Sequence, residues 1–77
     1  MEPYQERVIA ERDEVAAFAN ATQDRLIKLV DFTATPAFAS LPLEQQQLLQ
    51  AQAVTMRDTA EQAEAYKNIL DSRISTF

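Results

Sequence analysis

Cysteine, histidine, glycine and tryptophan are all missing from the 77 residues. Without cysteine no disulfide can staple the fold, and without cysteine or histidine an ordinary zinc site is excluded. Losing histidine removes the commonest general base and the usual partner of a serine nucleophile. Losing glycine removes the loop that lets backbone approach a phosphate or a dinucleotide. These gaps predict a protein that is not an enzyme and carries no cofactor. No long apolar run and no basic-then-apolar leader occurs, so the expectation is a soluble chain that neither spans a membrane nor is exported. Positive charge is scarce as well: seven Lys/Arg face twelve Asp/Glu, for a net charge of −5. That balance speaks against coating DNA or RNA, which needs a basic face.

Carboxylates are what is plentiful. Glu11/Glu14 and Glu61/Glu64 are each spaced to share one helix face. Such pairs are ordinarily solvated surface; a carboxylate-bound Mg²⁺ serving a phosphohydrolase is the least favoured class.

Proline divides the chain into a single helical-hairpin domain over residues 1–77, with a helix at 3–31, a connector at 32–42 and a helix at 43–76. Pro3 suits a first helical position, and Glu2 and Glu6 suit the positive end of the dipole. In the connector, Thr35-Pro36 reads as an N-cap followed by a first helical residue, which predicts one short turn through Phe38 and Ala39. Pro42 opens the second helix, with Glu44 in its first turn.

Apolar spacing assigns the buried side. Val8, Val15, Thr22 and Leu29 recur in heptads, with Arg12, Ala19 and Leu26 interleaved. In the second half Leu49, Met56, Ala63, Leu70 and Phe77 alternate with Ala53, Ala60, Lys67 and Ile74. Two such patterns joined by a short connector predict an all-α fold, an antiparallel two-helix hairpin. Ile9, Ile27, Val30, Leu48, Val54 and Ile69 fall off these lines and widen the stripes. The expected outcome is a homo-oligomer that buries them, because chains this short bury only about 60% of their unfolded surface alone. Phe32 and Phe38 are expected to close the hydrophobic end, and the glutamines from Gln45 to Gln52 to form an exposed polar start.

Folding back would bring Tyr4, Arg7 and Arg12 beside Tyr66, Lys67 and Arg73. Aromatic faces stack bases and cations hold phosphates, so these six are the candidate ligand-binding residues. The competing reading makes them surface groups neutralised by Glu6, Glu11, Glu64 and Asp71, of little energetic value. Arg12 and Lys67 stand out by occupying seam positions, where a charge can snorkel or set register.

Phe38-x-x-Leu41, Glu44, Leu48-Leu49, Gln52, Met56, Tyr66, Ile69-Leu70, Arg73-Ile74 and Phe77, with the opening Pro3-Tyr4-Gln5-Glu6-Arg7-Val8, carry a resemblance. They resemble a family of small proteins of tailed phages and prophages related to a crAss-like phage open reading frame. Ala34-Thr35-Pro36-Ala37 departs from that family's shorter, more acidic connector. The resemblance implies a phage gene acting in the cytoplasm of the infected bacterial host, and it carries over no catalytic residue.

The expected function is an oligomeric binding protein that sequesters a small anionic host molecule, a cyclic nucleotide or an ADP-ribose-type immune signal. Small helical-hairpin oligomers among the anti-CBASS and anti-Thoeris sponges supply the analogy. The alternative is a coiled-coil-like interaction protein whose apolar stripe docks on a host or phage protein, as inhibitor, adaptor or virion accessory.

Overall fold

A computed structural model describes residues 1–77 as helices throughout, with no strand. Helix α1 runs Pro3–Thr33, α2 is the short Pro36–Ala39, and α3 runs Leu43–Ile74. The first long helix extends to Thr33, two residues beyond the expected end. The second stops at Ile74, short of the expected 76. Each start is organised locally. Pro3 occupies the first turn of α1, where Gln5 Oε1 accepts the Glu2 backbone N–H at 2.9 Å. Thr35 Oγ1 accepts the Phe38 backbone N–H at 3.3 Å and caps α2, with Pro36 following. Helix α3 places Glu44 in its first turn and Arg73 in its last, matching both ends of its dipole.

The reversal uses no residue at positive φ, which a chain without glycine could occupy only at a steric cost. Proline and side-chain hydrogen bonds shape it instead. Gln46 Nε2 donates to the Ala39 and Leu41 carbonyls at 3.2 and 2.9 Å, holding the exit of α2 against the first turn of α3. Among the glutamines expected to be plain surface, Gln46 is therefore structural. Phe32 and Phe38 close the same end edge-to-face, with ring centroids 6.0 Å apart and planes at 86°.

The long helices pack antiparallel into a rod of 56 × 15 × 14 Å. Their seam follows the heptads: Val8, Ala19, Thr22 and Leu26 from α1 are buried against Ala60, Ala63 and Leu70 of α3. With Phe38 these make only 8 buried residues of 77, so one hairpin supplies a single thin line of core. Alanine dominates the middle of that line and lets the helix backbones approach. The residues expected to flank the seam are left uncovered: Ile27, Val30, Leu48, Val54 and Ile69 are all exposed, and Ile9 is half-buried. No helix is long and apolar enough to cross a membrane.

Candidate functional site

The hairpin brings its two ends together, and the six candidate residues divide into two groups there. Tyr66 and Lys67 are consecutive on α3, so about 100° of helix rotation separates them and they leave the seam on opposite sides. Lys67 goes with Arg12. Its Nζ donates to Asp71 Oδ2 at 3.1 Å, while Arg12 Nη1 donates to Asp71 Oδ1 at 3.1 Å from the other helix. Arg12 Nε also donates to Asp13 Oδ1 at 2.8 Å, and Lys67 lies 3.9 Å from Glu64. One carboxylate thus bridges two cations and two helices.

The electrostatic consequences follow from those bonds. The Arg12 and Lys67 hydrogen bonds hold the Asp71 carboxyl below the usual carboxylate range. Hydrogen bonds to Asp13 and then Asp71 push Arg12 up from its already high value. Both seam cations are neutralised, and Arg12–Asp71 ties α1 to α3 at one register.

Tyr66 goes with Glu11. Its hydroxyl donates to Glu11 Oε1 across the helix pair, and this bond raises the phenol pKa because ionisation would put two negative charges together. Arg73 follows Tyr66 by seven residues, about two turns of α3, and so stands on the same face, where its charge draws the phenol down against Glu11. Arg7 lies one helical turn before Glu11. Neither Arg7 nor Arg73 makes an ion pair, which leaves two uncompensated cations at the end of the rod where Tyr66 sits. Tyr4 stacks edge-to-face on Phe77, with centroids 5.8 Å apart and planes at 87°. That contact packs the chain's last residue onto its first turn, while Tyr4 stays half-exposed.

From Tyr66 a shallow trough continues along the same side of the seam. Two adjoining hollows of about 500 Å³ each share Phe18 and Thr59 and extend it to Leu48. Phe18, 53% exposed, is its central side chain. Phe18 lies outside the heptad lines of α1, and spacing did not mark it as a site. The opposite side holds a smaller hollow of ≈ 310 Å³ lined by Ala19, Asn20, Gln23, Ala60, Glu61 and Glu64. The carboxylates do not converge anywhere on the surface in a group of three suited to a metal ion.

What this arrangement offers chemically is binding: a bare pair of guanidinium groups, two tyrosines half open to solvent and an apolar trough beside them. No curated protein and no solved structure matches the chain. The Sequestin family matches residues 2–76, nearly its whole length, and the protein belongs to that family.

Proposed function

We propose that the protein sequesters a small anionic molecule and releases it chemically unchanged, acting as a homo-oligomer. The observation that carries this reading is the pair of unpaired cations, Arg7 and Arg73, at the same end of the rod as Tyr4 and Tyr66. Uncompensated guanidinium groups suit phosphate, and aromatic faces suit a base. Arg12 and Lys67 are assigned a positioning role, because Asp71 already occupies both. Family membership supports the same direction, since the name Sequestin denotes holding a molecule rather than converting it. The ligand class is a cyclic nucleotide or an ADP-ribose-type signal, both of which combine bases with phosphates. The setting is the cytoplasm of a phage-infected bacterium, as the crAss-like phage resemblance implies.

Native mass spectrometry of the protein purified from phage-infected cells tests this directly. The expected spectrum shows a multiple of the 8.7 kDa chain with a retained small molecule, recovered intact after denaturation. Calorimetry with a panel of cyclic di- and trinucleotides and cyclic ADP-ribose isomers should give heat that Arg7→Ala and Arg73→Ala remove. Absence of heat with every member ends the proposal.

A second reading has its own observation. Ile27, Val30, Leu48, Val54 and Ile69 are exposed and could dock on another protein. Val54→Glu should then abolish a pull-down that Arg73→Ala leaves intact; a sequestering protein gives the reverse pattern.

A further inference from the structure

We infer that the trough centred on Phe18 is covered by the same trough of a second copy. The two hairpins lie antiparallel about a two-fold axis, so that Glu14 of each meets Arg25 of the other. This specifies the assembly named above and is independent of which ligand is held.

The two adjoining hollows contain only two charged side chains, Glu14 and Arg25, and neither has an ion pair in the single hairpin. They are opposite in sign and both lie on α1. Eleven residues make three helical turns with about 20° left over, so both point the same way, about 16 Å apart. A two-fold axis midway, level with Ala19 and Asn20, exchanges them and forms two equivalent salt bridges. The same axis passes close to Phe18 and brings the two half-exposed rings together at the centre of the contact, where interface anchors ordinarily lie. The α3 wall adds no charge, since it presents Gln52, Thr55, Thr59 and Gln62. The surface is self-complementary, as a two-fold contact demands.

Area agrees. The hairpin exposes 5527 Å². A compact chain of this mass would expose about 4,700 Å². The excess, about 800 Å² spread over the rod, is of the size that each partner buries in a standard interface. The opposite face lacks such complementarity: Glu61 and Glu64 line its hollow, and a two-fold contact there would gather four carboxylates.

The geometry has a consequence for the binding end. An axis level with residues 19–20 of α1 carries the connector end of one copy to the terminal end of the other. Phe32 and the exposed Leu48 of the second copy then stand level with Arg7 and Arg73, and give the cationic end an apolar wall that a lone hairpin lacks. The pair would hold two identical sites, each built from both copies.

Sedimentation equilibrium at micromolar concentration, with circular dichroism as a fold control, tests the assignment. The unmodified protein should have at least twice the 8.7 kDa mass of one chain. Phe18→Glu should keep its helical signal and sediment as a single hairpin. Glu14→Arg alone and Arg25→Glu alone should each weaken association roughly 100-fold by setting like charges together. The double exchange should restore most of it, while Ile27→Glu on the opposite side should leave the mass unchanged. A single-hairpin mass for the unmodified protein overturns the inference. So does an assembly that Phe18→Glu leaves intact, or a double exchange that fails to rescue. An assembly that behaves as expected but gives no heat with any nucleotide sinks the sequestering proposal alone.

Discussion

The two long sides of this hairpin are built from the same helices yet present opposite surfaces. One side is laced with charge: Arg12, Lys67 and Asp71 cross the seam, with Glu61 and Glu64 further along. The other is a nearly neutral trough of Phe18, threonines and glutamines with one carboxylate and one guanidinium. The charged side has satisfied most of its polar groups internally and fixes the register of the two helices. The trough has left Glu14 and Arg25 without ion pairs and Phe18 more than half exposed. The rod ties its helices together through one face, the charged one, on which Ile27 and Val54 stay exposed, while the trough keeps its two charges free of ion pairs.

The largest expected effect tests the line between the two sides. Leu70 is 1% exposed and is the largest fully buried side chain, so Leu70→Ala should cost about 2–5 kcal/mol in urea unfolding and undermine both faces. Its neighbour Ile69 is 63% exposed on the trough side. Ile69→Ala should change hairpin stability by no more than about 0.5 kcal/mol, apart from any effect on assembly. A large loss from Ile69 and none from Leu70 would mean the helices are rotated from the seam described.

A smaller effect should mark the charged side. Asp71→Asn removes the negative charge between Arg12 and Lys67 and replaces one of its two acceptor oxygens by a donor, leaving two cations facing each other. Its melting midpoint should fall, though by less than that of Leu70→Ala, and should rise relative to the parent when salt is added. Gln62→Ala on the trough side should leave the midpoint where it is. Equal losses from both would erase the distinction between the faces.

Proton linkage separates the sides further. Asp71 has its pKa lowered by folding, so its contribution is fully present above the unfolded value near 3.9 and is lost as pH falls through the lower folded value. Acid titration of stability should show that loss below about pH 4, and Asp71→Asn should reduce it. Tyr66 has its pKa raised, so its contribution is complete below the ordinary phenol value near 10 and disappears as pH rises through the folded one. The smallest effect is therefore an alkaline one: a late tyrosinate absorbance step and a slight loss of stability above about pH 10, both removed by Tyr66→Phe.

Much of the fold was legible in the chain. Pro3, Pro36 and Pro42 mark three helix starts because each can sit in a first turn or just before one without losing a needed hydrogen bond. The heptads named Val8, Ala19, Leu26, Ala60, Ala63 and Leu70 as seam residues, and the usual behaviour of aromatics at a helical reversal named Phe32 with Phe38 as the closing pair. Gln46 was not distinguished from the glutamines beside it, because its role depends on two connector carbonyls whose positions the run does not encode. The candidate cluster was legible only as a neighbourhood. Spacing put Tyr66 and Lys67 near the first helix's start. It did not say that Lys67 would join Arg12 on Asp71 while Tyr66 reached Glu11 on the other side.

Sequence by itself settled the two helices, where each begins, and which stripe of each turns inward, because all three rest on residues within a turn or two of one another. Only the tertiary structure decided which cations are neutralised and which stay bare. That outcome depends on the rotation and register of one helix against another some sixty residues away, and a shift of a single turn would trade every polar partner while leaving both hydrophobic stripes in contact.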